Sequence, residues 1–145
     1  MKLSIALTAV ALLAGCDSQS AGTETRFPGT LVQNALGVET LAAPDMVVAG
    51  RPFTVAVVTA GGGCVRQGDV EVAKVDVRPF DVFVDPGPGG ACTRDLIYFE
   101  HTATVTFRTP RTATVRAIGS DASSFAPQSG LVPVVVERRV VVVAR

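Results

Sequence analysis

Tryptophan is absent from these 145 residues, and tyrosine and histidine occur once each. With a single histidine, His101, the chain has little scope for general acid–base chemistry, in which imidazole is the commonest side chain. The GxSxG elbow, the HExxH zinc motif, the phosphate loop and the Gly-rich strand-to-helix fingerprint are missing as well. Excess charge of either sign is also lacking, since 13 basic and 13 acidic residues cancel. That balance argues against a nucleic-acid partner, because neutralising phosphates requires a basic surface. No apolar run reaches the length of about 20 residues that crosses a bilayer as a helix. What the chain does have is 48% hydrophobic against 18% charged residues, and 25 valines. This is the composition of a folded chain and not of a disordered one.

The first residues form a separate unit. Lys2 supplies one positive charge, and Leu3 to Leu13 is apolar apart from Ser4 and Thr8. This is the layout of a secretory signal peptide, too short for a membrane span. Leu13-Ala14-Gly15-Cys16 resembles the bacterial lipobox: a branched aliphatic, two small residues and a cysteine. The resemblance implies cleavage between Gly15 and Cys16 and a diacylglyceryl group on the Cys16 thiol. Further acylation of the new amino terminus is often found with it. Several acyl chains hold a protein at a membrane firmly, where one binds marginally. The expected location is the cell envelope, facing the periplasm or the exterior, with membrane lipid as partner through acylated Cys16. In enterobacteria-like lipoproteins an Asp directly after the lipidated cysteine is associated with retention at the inner membrane, so the resemblance, through Asp17, implies the inner over the outer membrane. The expected organisation is a signal peptide over residues 1–15, lipidated Cys16 and a polar tether over 16–37, and one domain over 38–145.

With Cys16 lipidated, Cys64 and Cys92 remain, an even number in an oxidising compartment. A single disulfide is the simplest outcome. It closes a loop of about 29 residues, worth roughly 3–4 kcal/mol in the chain-entropy account. A metal or redox pair is the alternative, for which CxxC spacing and a nearby histidine are lacking. Gly61-Gly62-Gly63 precedes the first cysteine and Pro86-Gly87-Pro88-Gly89-Gly90 the second. Both are flexible stretches that a crosslink would fix at one place.

From Val38 onward, valine-rich segments alternate with Gly, Pro and Asp, a pattern of strands and turns. Phe53, Val55, Val57 and Thr59 occupy one face of a period-two segment. Ala103, Val105 and Phe107 occupy another, with Thr102, Thr104 and Thr106 opposite, and Ala113, Val115 and Ala117 repeat the pattern. The phase shifts at Ala73-Lys74, which predicts a bulge or short turn. Phe80, Val82 and Val84 then resume the alternation. Residues 131–143 predict a long final strand with Pro133 near its start, where a missing donor is tolerated. Thr93 to Glu100 is the one helix candidate. About seven strands in this length predict an all-β, antiparallel sandwich.

Pro44-Asp45-Met46-Val47-Val48-Ala49-Gly50-Arg51-Pro52-Phe53-Thr54-Val55 resembles the opening of bacterial Ig-like domains, in which an edge strand reaches a Gly and a Pro-aromatic pair begins the next strand. Residues 110–117 are similar to the penultimate strand of that family. The resemblance implies a single Ig-like sandwich. It departs from antibody-type domains in lacking a Trp, a corner Tyr and their inter-sheet cysteine spacing. Such a fold does not by itself carry a function.

Little in the domain suggests chemistry. His101 follows Glu100 and is read as a strand-edge histidine. Asp69, Asp76, Asp81, Asp85 and Asp95 offer oxygen atoms of the kind calcium prefers, but their spacing matches no loop motif and solvated positions account for them. No cofactor, metal or catalytic residue is expected. Phe27, Phe80, Phe83, Tyr98 and Phe99 suit core packing. Phe125 instead sits in a polar stretch and is a contact candidate, together with Gly62 and Gly89 in the loops beside the cysteines. The expected function is a non-enzymatic, lipid-anchored binding or structural module with an envelope protein as partner. The alternative is an inhibitor or accessory subunit of an envelope enzyme, acting through the Gly-rich loops.

Overall fold

Side-chain alternation sets which face of each long strand is buried, and ten strands result. The computed structural model describes residues 22–32, 37–121 and 131–145. Its strands are β1 (Glu24–Pro28), β2 (Thr30–Leu31), β3 (Leu41–Ala42), β4 (Met46–Val48), β5 (Pro52–Gly61), β6 (Val65–Ala73), β7 (Asp76–Val84), β8 (Ile97–Thr106), β9 (Arg111–Ser120) and β10 (Pro133–Val143). No α-helix occurs among the described residues. The fold is all-β, with more strands than the seven expected.

The ladders join into one mixed sheet. β5 pairs antiparallel with β8 from Pro52↔Thr106 to Gly61↔Ile97. On its other side β5 meets the short β2 and β3. β9 and β10 form a second long antiparallel pair, and β6 and β7 a hairpin. Three ladders run parallel: β4 with β10, β2 with β9, and β7 with β9. The purely antiparallel expectation is therefore corrected. Long-range parallel pairs leave no turn signature, so local pattern cannot reveal them.

Val55 and Val57 of β5, Ala103 and Val105 of β8, Val77 of β7, Val115 and Ala117 of β9, and Val140 and Val142 of β10 meet in one apolar core. Leu31, Leu41, Val47, Phe107 and Ala113 complete it. Each fully buried valine contributes roughly 1.5–3 kcal/mol by leaving water. The expected faces of β5, β8 and β9 are the buried ones. In β7 the buried residues are Val77, Pro79 and Asp81, so the Phe80–Val82–Val84 face is the outer one.

The sheet also begins earlier than residue 38. β1 pairs with β7 from Glu24↔Val84 to Pro28↔Phe80, and Phe27 and Leu31 are buried. Burial of two large apolar side chains outweighs the polar character that suggested a tether reaching residue 37. The expected helix over Thr93–Glu100 is absent: Ile97 to Glu100 begin β8, where aromatic and β-branched side chains suit a pleated strand. Lys74 and Val75 make the expected tight turn between β6 and β7, with Lys74 at φ 60°.

Gly50 has φ +77° in the turn between β4 and β5, and no atom lies within 4 Å of where a Cβ would stand. Any penalty for a side chain there is conformational and not steric. Gly50→Ala is expected to lower stability by about 1–2 kcal/mol, the cost of a left-handed non-glycine residue. Denaturant melts of the two proteins would measure it, and equal midpoints would refute the assignment.

Candidate functional site

His101 lies in the middle of β8, not at a strand edge. Its inward position follows from alternation with Ala103, Val105 and Phe107. Its side chain is 1% exposed, and that of Asp81, from β7, is fully buried. The His101 Nε2 stands 3.1 Å from Asp81 Oδ1 and 3.0 Å from Thr59 Oγ1. Both oxygens thus compete for the one ring nitrogen, and an ionised carboxylate, which can only accept, would require the proton on Nε2. Asp81 Oδ2 has no hydrogen-bond partner among the described residues. Gly29 packs against it so closely that a Cβ there would stand 2.9 Å from this oxygen.

Threonine, histidine and aspartate together suggest a proton relay, but the geometry differs from one. A relay takes its hydroxyl on one ring nitrogen and its carboxylate on the other. Here both oxygens address Nε2, and the group is sealed within the sheet. It is a structural polar cluster. Asp81 is accordingly corrected from a solvated to a buried residue. Among the described residues, no group of three or more His, Cys, Asp or Glu side chains is placed to hold a metal ion.

The accessible candidate is at one end of the sheet. The Cys64 and Cys92 sulfurs are 1.97 Å apart, at disulfide distance, with their Cα atoms 5.1 Å apart. Around them, Gly63 N–H donates to Thr93 O at 3.1 Å, Val84 N–H to Cys64 O at 2.8 Å, and Asp85 N–H to Thr23 O at 3.1 Å. A Cβ on Gly63 would collide with Thr93 Oγ1, so glycine is needed for this approach. Gly62 lies against Thr93 as well, and Gly89 turns the Pro/Gly loop at φ +80°. The structure thus brings Cys64, Cys92 and Gly62 together, with Gly89 in the loop that leads into Cys92. Gly15, Cys16 and Phe125 lie outside the described residues.

From this cluster the chain runs through Ala91 to Tyr98, every residue exposed. Leu96 is 48%, Ile97 38% and Tyr98 39% accessible. Sequence reasoning placed these three in a helix or a core. The usable signal was their position just past a cysteine and a Pro/Gly loop, where a strand begins before it is covered.

The outer face of β1, β6, β7 and β9 carries ion pairs instead. Arg116 pairs with Asp76, and Arg66 with Glu24. Arg26 lies over the Phe80 ring, 3.3 Å from its centroid. It donates from Nε and Nη2 to the two Asp69 oxygens at 2.8 and 2.9 Å, and from Nη2 to Glu71. These hydrogen bonds hold the Asp69 carboxyl below the usual carboxylate range and Arg26 above its own usual value. Because the folded Asp69 value is the lower one, the unfolded chain takes up its proton first as pH falls. The pair's contribution is therefore full above an ordinary carboxylate value of about 4 and is lost as pH drops through the folded value. Solvent exposure keeps it small. In a carbon-13 titration the Asp69 carboxyl is expected to have a depressed midpoint that returns to the ordinary range in Arg26→Gln. An unmoved midpoint would break the attribution.

Compared with known proteins, the chain matches no family model, no curated protein and no solved structure.

Proposed function

We propose that this chain is a cell-envelope lipoprotein, anchored through acylated Cys16, whose domain binds and does not catalyse. The carrying observation is the loop cluster pinned by Cys64 and Cys92, which holds the exposed run Ala91–Tyr98 on a rigid sheet end. Contact residues are typically loop positions fixed by a rigid scaffold. The Leu13-Ala14-Gly15-Cys16 motif supports the anchor, and the sealing of His101 inside the sheet supports the non-enzymatic reading. We further read the domain as an Ig-like sandwich variant. The long antiparallel pairs β5–β8 and β9–β10 support this, as does the opening segment Pro44 to Val55, which passes from β4 on β10 into β5 on β8. The parallel β7–β9 ladder and the added β1 are its departures from that family.

The test is intact mass of the membrane-extracted protein, with and without reduction and alkylation, beside a Cys16→Ala variant. A mature chain starting at an acylated Cys16, with Cys64 and Cys92 alkylated only after reduction, is the expected result. An unacylated chain cut elsewhere would end the lipoprotein reading. Alanine substitutions at Leu96, Tyr98 and Phe125 that left every crosslinked envelope protein in place would end a protein-binding role for the loops.

A further inference from the structure

The described chain enters the sheet at the same end as the disulfide loops. Gly22 packs against Asp85, and Asp85 N–H donates to Thr23 O. Val84, Cys64, Gly63 and Thr93 follow side by side through their backbone hydrogen bonds, and Ile97 pairs with Gly61. Cys16 is six residues before Gly22, a length of chain that spans at most about 22 Å when fully extended. β5, with 10 residues, is itself about 33 Å long. A domain standing on its opposite end would lift Gly22 beyond the reach of a Cys16 held at the lipid surface. The short connection therefore excludes the inverted orientation and keeps the disulfide end on the bilayer side of the domain.

That end has the composition of a membrane-contacting surface. Leu96 and Tyr98, two residues apart, are exposed where β8 begins, and Val132, 59% exposed, lies at the same end, where Asp121 N–H donates to its carbonyl. Tyrosine is enriched at the headgroup level of membranes because its ring is apolar and its hydroxyl wet. Charge contributes little: Arg94 is offset by Asp85 and Asp95, and Arg66 is paired with Glu24. Tethering makes the second contact intramolecular, so that a patch too small to bind from solution suffices.

Resting on the lipid anchor at Cys16, we propose that the partner of this platform is the bilayer surface itself, with Leu96 and Tyr98 seated at the headgroup–acyl boundary. The contact orients the domain and presents the end carrying Met46 to the aqueous compartment.

The chain has no tryptophan, so one introduced indole reports one place. Lipidated Tyr98→Trp protein is reconstituted into protein-free phosphatidylcholine vesicles containing bromolipid, beside Met46→Trp at the far end. The indole at 98 is expected to emit at shorter wavelength than in detergent-free Cys16→Ala background, to be quenched by bromolipid, and to be shielded from iodide, all unchanged by added salt. The indole at 46 is expected to stay quenchable by iodide. Leu96→Trp gives the same readout if Tyr98→Trp does not fold. Equal iodide access at both ends overturns the membrane contact, and points to a protein occupant instead. Intact mass of the same sample separates the two failures. Acyl chains on Cys16 with an exposed indole sink the contact alone, whereas an unacylated Cys16 sinks contact and anchor together.

Discussion

His101→Ala is expected to destabilise the protein by about 3–5 kcal/mol, the cost of leaving a buried charge without its partner. Asp81 is fully buried, its Oδ2 has no partner among the described residues, and its Oδ1 depends on His101 Nε2 at 3.1 Å. Removing the imidazole strands the carboxylate beneath Gly29. Asp81→Ala leaves an imidazole that still reaches Thr59 Oγ1 at 3.0 Å, so a loss of only about 1–3 kcal/mol is expected. The double variant His101→Leu/Asp81→Ala, of similar total volume and without the polar pair, should recover most of the His101→Ala loss. With the single variant His101→Leu added, urea melts of the parent protein, His101→Leu, Asp81→Ala and the double variant close the cycle. Additive losses would show that the two side chains do not depend on one another, and that packing of the imidazole ring is the whole effect.

The same pair explains what the sequence could and could not reveal. Alternation through 103, 105 and 107 identifies the buried face of β8, and one more step toward the N-terminus reaches His101. That step was legible, because Thr59 also lies in phase with Val55 and Val57. What was not legible is Asp81. The outer positions Phe80, Val82 and Val84 are more hydrophobic than the inner Pro79 and Asp81, so the β7 pattern indicates the wrong face. Arg26 over Phe80 and the ion pairs around it are what make an apolar outer side tolerable. They join residues more than 40 positions apart, beyond the range of periodicity.

Strand pairing divides in the same way. β5, β8, β9 and β10 are long, valine- and threonine-rich and readable one at a time. β1 to β4 have two to five residues each and are fixed by partners, not by propensity. β2 is held between β5 and β9 with Leu31 fully buried, although its Thr-Leu carries almost no strand signal. At the loop cluster the cysteines and glycines marked the place, and the exposed apolar residues after Cys92 went unread because exposure depends on which neighbours the sheet supplies.

Breaking the Cys64–Cys92 link, by Cys64→Ser/Cys92→Ser or by reduction, is expected to lower stability by roughly 3–4 kcal/mol, since the crosslink restricts a long segment of the unfolded chain. The residues are 28 apart, and the interval contains β6 and β7. That hairpin is laddered on both strands and further held by β1 and β9, so it keeps its place without the bond. The segment from Pro86 to Leu96 has no strand of its own, and the disulfide and Gly63 N–H bonded to Thr93 O tie it to the sheet. Native-state hydrogen exchange should therefore divide: the Gly63 amide is expected to lose protection well beyond the global change, while Val115 and Val57 in the core follow global stability alone. Single and double serine variants should lose equal amounts, because either removes the one crosslink. A Gly63 amide that stayed protected at the global level would mean that backbone packing alone orders the loop. The platform would then persist under reducing conditions, and its presentation of Leu96 and Tyr98 would be independent of the cysteines.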